Sequence, residues 1–167
     1  MLKVLRVSVF MFLMGLFSCG NTTGNFWKNY KKELLVENVS EQGGWGGHRA
    51  LHWSGSFSEE EVLNYAKEHD WNFVEEIEVK ESELNSWEYM NQPIFPLSHE
   101  GFELKPSSSS NTFQHFPRWI KTSLKVYSFK TGMLAIKPGT DEAMEVNGFV
   151  VLSKDNKELS VYHLWGE

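Results

Sequence analysis

The last third of the chain places the tightest limit on its fold. Residues 123–130, 133–137, 147–153 and 158–165 are rich in Val, Leu, Phe, Tyr and Trp. Between the first pair lies Thr131-Gly132, and between the second Lys154-Asp155-Asn156-Lys157. β-Branched and aromatic residues in short runs suit pleated backbone, and small or polar residues between such runs read as hairpin turns. Two hairpins predict an antiparallel meander of four strands. Its apolar face needs a cover, so the predicted class is α+β: an antiparallel sheet of four or more strands with one or two helices packed on one face.

Upstream, the sharpest helical signal is Ser58-Glu59-Glu60-Glu61. This is a capping box, in which Ser58 accepts from the Glu61 amide and Glu61 reaches back to the amide of Ser58. It predicts a helix over 59–69 with Val62, Leu63 and Ala66 inward and His69 over the last carbonyls. A second helix is predicted over 26–39, where Phe26, Trp27, Tyr30, Leu34 and Leu35 recur at roughly helical spacing. Glycines 43, 44, 46 and 47 forbid helix, and 48–57 reads as a strand. Another strand opens at Asn72, with Phe73, Ile77 and Val79 on one face. Four of the five prolines and the serines at 107–110 fall within 91–118, which excludes a regular element over most of it. Phe95, Phe102, Phe113 and Phe116 make that stretch an ordered loop laid on the core. Residues 26–167 are thus one expected domain.

The first 19 residues stand apart. Lys3 and Arg6 precede an apolar run from 7 to 17, followed by Ser18 and Cys19. At 1.5 Å per residue the run is too short to span a hydrocarbon core of ~30 Å, and the three parts together make a secretory signal. Leu16-Phe17-Ser18-Cys19 resembles the lipobox of bacterial lipoproteins, with Phe17 where a small residue is usual. The resemblance covers the signal alone. It implies loss of residues 1–18, and it implies lipidation of Cys19 with a diacylglycerol thioether and an amide-linked acyl chain. Attachment to the bacterial cell envelope would follow. By the same resemblance Gly20, standing where an aspartate in lipoproteins marks retention in the inner membrane, implies the outer membrane. Residues 20–25 form a polar tether. Cys19 is the chain's one cysteine, so no internal disulfide forms, and lipidation gives the thiol a use.

Removal of Lys3 and Arg6 with the signal deepens the net charge from −6 to −8, which argues against nucleic acid as a partner. The charge is local: residues 58–88 hold eleven acids against Lys67 and Lys80, a net of −9, and the rest of the mature chain sums to +1. Such a face suits a basic protein partner, or a solvated outer surface that keeps a tethered protein soluble and away from anionic lipid. The candidate interaction residues are Glu59, Glu60, Glu68, Asp70, Glu75, Glu76, Glu78, Trp45 and Trp87. Seven tryptophans also admit an envelope glycan or small-ligand binder. Chemistry is poorly represented. His48 and His52 are too far apart on a strand to share an ion, and no zinc-protease, phosphate-loop or seryl-nucleophile motif is present. A hydrolase built from His48, His163 and Asp70 is the least favoured class. The expectation is a non-enzymatic, membrane-tethered protein-binding module without cofactor or metal, one version being an immunity-type inhibitor of a basic effector. Replacement of Cys19 by alanine should abolish acyl labelling and release the protein from membranes; a variant that stays membrane-bound would refute the lipobox.

Overall fold

The computed structural model describes residues 24–44, 46–84, 88–89, 92–93, 117–136, 141 and 143–166. Strands β1 (Leu35–Gln42) and β2 (Gly46–Ser54) are followed by helix α1 (Glu59–Glu68), strand β3 (Asn72–Val79) and the single turn α2 (Glu81–Leu84). A short pair, β4 (Glu88–Tyr89) and β5 (Gln92–Pro93), precedes the long strands β6 (Leu124–Ile136), β7 (Ala143–Ser153) and β8 (Glu158–Gly166). Six strands form one antiparallel sheet in the order β1-β2-β8-β7-β6-β3, so the class is α+β. The signal, Cys19, the tether as far as residue 23, Trp45, Trp87 and most of the Pro/Ser-rich stretch lie outside the described residues.

The sheet is buried on both faces at its centre. Phe149 and Val151 of β7 and Tyr162 and Leu164 of β8 join Ala50, Leu84, Ile120, Leu124 and Val126 on one side. Val150, Leu152, Leu159 and Val161 join Phe26, Trp27, Trp53, Val62, Ala66 and Trp71 on the other. α1 covers this second face as its sequence dictates. The Ser58 side chain accepts from the Glu61 amide at 3.5 Å, and three acids sit in the first turn. Val62 and Ala66 are buried, and His69 Nδ1 lies 2.8 Å from the Tyr65 carbonyl at the far end.

Three expectations are corrected. The helix over 26–39 is instead two 3-10 turns, Asn25–Asn29 and Lys32–Leu34, leading into β1. Lys31 between them adopts a left-handed φ of 36°, which ends helical propagation, and β1 exists because it pairs with β2 from Leu35 to Gln42. Thr131-Gly132 is not a hairpin turn. β6 runs through it as far as Ile136, which pairs with Ala143 of β7. Lys130 pairs with Val146 and Ala135 with Met144, so 131–134 bulge opposite Glu145, and Gly132 takes a φ of 78°. The bulge turns Thr131 inward, where its hydroxyl donates to Asn147 Oδ1 at 2.9 Å and lies 3.0 Å from His163 Nε2. Asn147 in turn donates to the Met133 and Leu164 carbonyls, so the polar group is satisfied inside the core. In β3 a second bulge between Phe73 and Glu75 separates residues expected to share a face: Phe73 packs on Phe129 beside α1, whereas Ile77 and Val79 join the opposite cluster.

Gly148 lets β7 pass beneath this network. A Cβ there would lie 2.6 Å from Thr131 Cγ2 and 2.8 Å from the Trp71 ring, too close for any side chain. Gly148→Ala should therefore lower the unfolding free energy in urea by about 1–3 kcal/mol through overpacking. An unchanged midpoint would show that Trp71 can move aside.

Candidate functional site

α1 sorts its acids by direction. Glu59, at the first position, faces the sheet and meets Lys125 of β6 at 3.0 Å, where Glu76 of β3 also arrives at 2.9 Å. Hydrogen bonds to Glu76 and then Glu59 hold the Lys125 ammonium above its ordinary range. Burial, and then Glu59, push the Tyr127 hydroxyl beside them up as well. Glu78 approaches Lys154 at 3.7 Å, with both side chains largely exposed. Lysines from outside the acidic segment therefore neutralise part of it.

On the outer side of α1 the acids border a cleft of about 650 Å³. Glu60, Asn64 and Glu68 recur every four residues along one helical stripe, with Glu61 and Tyr65 beside them. Asn29, Tyr30 and Lys31 form the opposite wall. The Lys31 ammonium bonds Glu61 at 2.9 Å and the Ser56 carbonyl at 3.3 Å. It also sits 5.7 Å from the Tyr30 ring centre and 5.4 Å from that of Phe57. A left-handed non-glycine residue costs roughly 1–2 kcal/mol, which these contacts offset. Burial and the Glu61 charge raise the Tyr30 hydroxyl, while burial followed by Glu68 raises that of Tyr65. Tyr65 spends its proton on the Phe26 carbonyl at 2.9 Å. Among the described residues no lysine or arginine pairs with Glu60 or Glu68.

The expected interaction residues thus divide. Glu60 and Glu68 share the cleft, Glu59 and Glu76 share Lys125, and Asp70 occupies the left-handed turn after α1 with a φ of 64°. Glu75 stands on the face of β3 away from Glu76 and Glu78. Trp45, Trp87 and Cys19 lie outside the described residues. Lys31, Tyr30 and Tyr65 escaped sequence reasoning, because nothing local marks a lysine thirty residues from Glu61 as its partner. Trp27, Trp53, Trp71 and Trp165 are all buried, and Trp119 is half-buried between His52 and Tyr162. These five therefore serve the core, and they give the glycan reading no exposed ring.

The structure does not bring His48 and His163 together, and His99 and His115 lie outside the described residues. His48 shares its face of β2 with Ala50, whereas His163 lies on the other face of the sheet against Trp71 and Trp165. Among the described residues no three His, Cys, Asp or Glu side chains cluster as metal ligands. One Ser–His–Glu series does occur: His52 Nδ1 is 2.9 Å from Ser160 Oγ, and its Nε2 is 3.7 Å from Glu158. Ser160 is 0% exposed, so no substrate carbonyl reaches it, and the series is a core contact. Burial lowers the His52 pKa despite the Leu159 carbonyl and Glu37, so the ring is neutral at pH 7 and its approach to Glu158 is not an ion pair.

A depressed folded pKa means that the unfolded chain binds the proton first. The stability His52 contributes is complete above its unfolded value of about 6.5 and declines as pH falls through the lower folded value. Urea midpoints measured downward from neutral pH should fall in that window, and the decline should be shallower in His52→Gln; an equal slope in the variant would assign the sensitivity to other groups. Compared with known proteins, the chain matches no family model, no curated protein and no solved structure.

Proposed function

We propose that the protein is a lipid-tethered binding module of the bacterial cell envelope that receives a cationic side chain of a partner protein in the cleft beside α1. The supporting observation is the division of carboxylates. Lysines take up Glu59, Glu76 and Glu61, while Glu60 and Glu68 remain beside the Tyr30 and Tyr65 rings around one concavity. Carboxylates beside aromatic faces suit guanidinium or ammonium groups, which gain both charge pairing and contact with the ring. Lys31 already places one ammonium over Tyr30. Complementary charge would steer a basic partner and fix its orientation more than it would set affinity. Inhibition of a basic exported effector is one form such recognition takes, and the tether through Cys19 would hold the module where that effector arrives.

Reversing both free acids tests this reading. Full-length protein in detergent should retain basic envelope or exported proteins at low salt and release them at high salt. Glu60→Lys combined with Glu68→Lys should weaken that retention by about tenfold or more, since each lost close pair is worth on the order of 1 kcal/mol. Retention unaffected by salt and by the double variant would sink the proposal.

A further inference from the structure

β3 is one edge of the sheet, and among the described residues nothing pairs with its outer side. Alternate residues from Asn72 to Val79 therefore turn backbone N–H and C=O groups outward, a template for another strand. Lysine, proline, a bulge or a covering element commonly blunts so long an edge; β3 contains no lysine or proline, and its one bulge lies at its start, before Glu75. That bulge leaves Phe73 56% and Val74 42% exposed. Beside Phe73 runs a groove of about 330 Å³ walled by Leu63, Trp71 and Phe129 and bordered by Lys67 and Glu76.

We propose that β3 is a strand-addition site for an extended basic segment of the partner protein. That segment sets an apolar residue in the groove beside Phe73, and lysine or arginine opposite Glu75 and the exposed Glu78. The inference rests on the binding-module reading and supplies its mode of attachment. The groove and the acidic cleft flank α1 and share Asn64, so one partner can occupy both.

Charge selects this occupant over the others. In a second copy paired antiparallel about Ile77, each Glu76 would face a Glu78, and about Glu76 the two copies of that residue would face each other; directly opposed like charges destabilise a ladder. Residues 94–116 of the chain itself carry Lys105 against Glu100 and Glu103, a net acid brought to an acidic strand. A basic segment meets neither obstacle. It satisfies the outward backbone groups, covers Phe73 and Val74, and neutralises acids on both faces of the strand.

The test uses full-length protein in detergent and two labelled peptides of about eight residues, with lysines on both faces of the extended chain and one phenylalanine near an end. They differ only in N-methylation of the backbone amides along one edge, which removes the donors and leaves charge and side chains in place. The unmethylated peptide should bind by anisotropy and slow hydrogen exchange at the outward amides of β3, and the methylated one should bind about tenfold more weakly or less. Equal binding of the two would overturn strand addition while leaving acidic recognition intact. Binding by neither would overturn both readings. Protection of β3 that rises with protein concentration in the absence of peptide would overturn the proposal in favour of self-pairing.

Discussion

Each apolar face of a buried strand has to be kept from water, and β7 and β8 present two such faces along nearly their whole central length. The rest of the fold is arranged to meet that demand. On one side the cover is aromatic. Trp27, 0% exposed, stands edge-on to Trp71 at 5.6 Å and lies within 6.3 Å of Trp53 and 5.2 Å of Tyr65. Those contacts tie the first 3-10 turn to α1 and to the sheet at once. Buried Arg49 fastens the same turn from beneath, its guanidinium donating to Asn25 and Ser40. On the opposite side Leu84 and Ile120 close over Leu124, Phe149 and Tyr162, and Arg118 donates to the Leu84 carbonyl. The two covers come from separate stretches of chain, so the sheet is the frame to which each is fixed independently.

The electrostatics follow from that arrangement. An excess of acid confined to one helix and the next strand would repel itself if it were all turned to solvent. The fold brings Lys31 from the N-terminal turn and Lys125 from β6 into it, and uses them where α1 meets its neighbours. Acids at the joints of the structure are thereby paired, and acids on the free side of α1 are not. The surface charge that a partner would meet is smaller than the composition suggests and more sharply placed.

Elements governed by neighbouring residues were legible in the sequence. α1 was, because its start is written in Ser58 and the three acids that follow it, although the Glu61 carboxylate turns to Lys31 instead of back to the Ser58 amide. The β7–β8 hairpin was too: Asn156 takes a left-handed φ of 59°, and Asp155 accepts from Ser153 at 2.7 Å, both local turn chemistry. The elements that failed depend on distant partners. Over 26–39 a helix and a 3-10 turn followed by a strand share the same apolar spacing, and the pairing of β1 with β2 decides between them. Thr131-Gly132 suits a turn or a bulge equally, and the choice lies with Asn147 and His163. The acidity of 58–88 was visible, but its division was not, since Lys31 and Lys125 enter from outside the segment. The five described tryptophans follow the same logic: a sheet buried on both faces takes Trp27, Trp53, Trp71 and Trp165 into its covers and half-buries Trp119.

The described chain enters the fold at Gly24 in a left-handed conformation, so close to the core that a Cβ there would lie 2.9 Å from His163 Nδ1. Two residues later Phe26 and Trp27 are buried. Tension applied from the N-terminal end arrives at rings keyed beneath α1, and not at a strand that could be peeled one hydrogen bond at a time. Several aromatic contacts share that load and must break together. A pull from that end would therefore be resisted by interlocked rings, while β3 lies at an edge of the sheet.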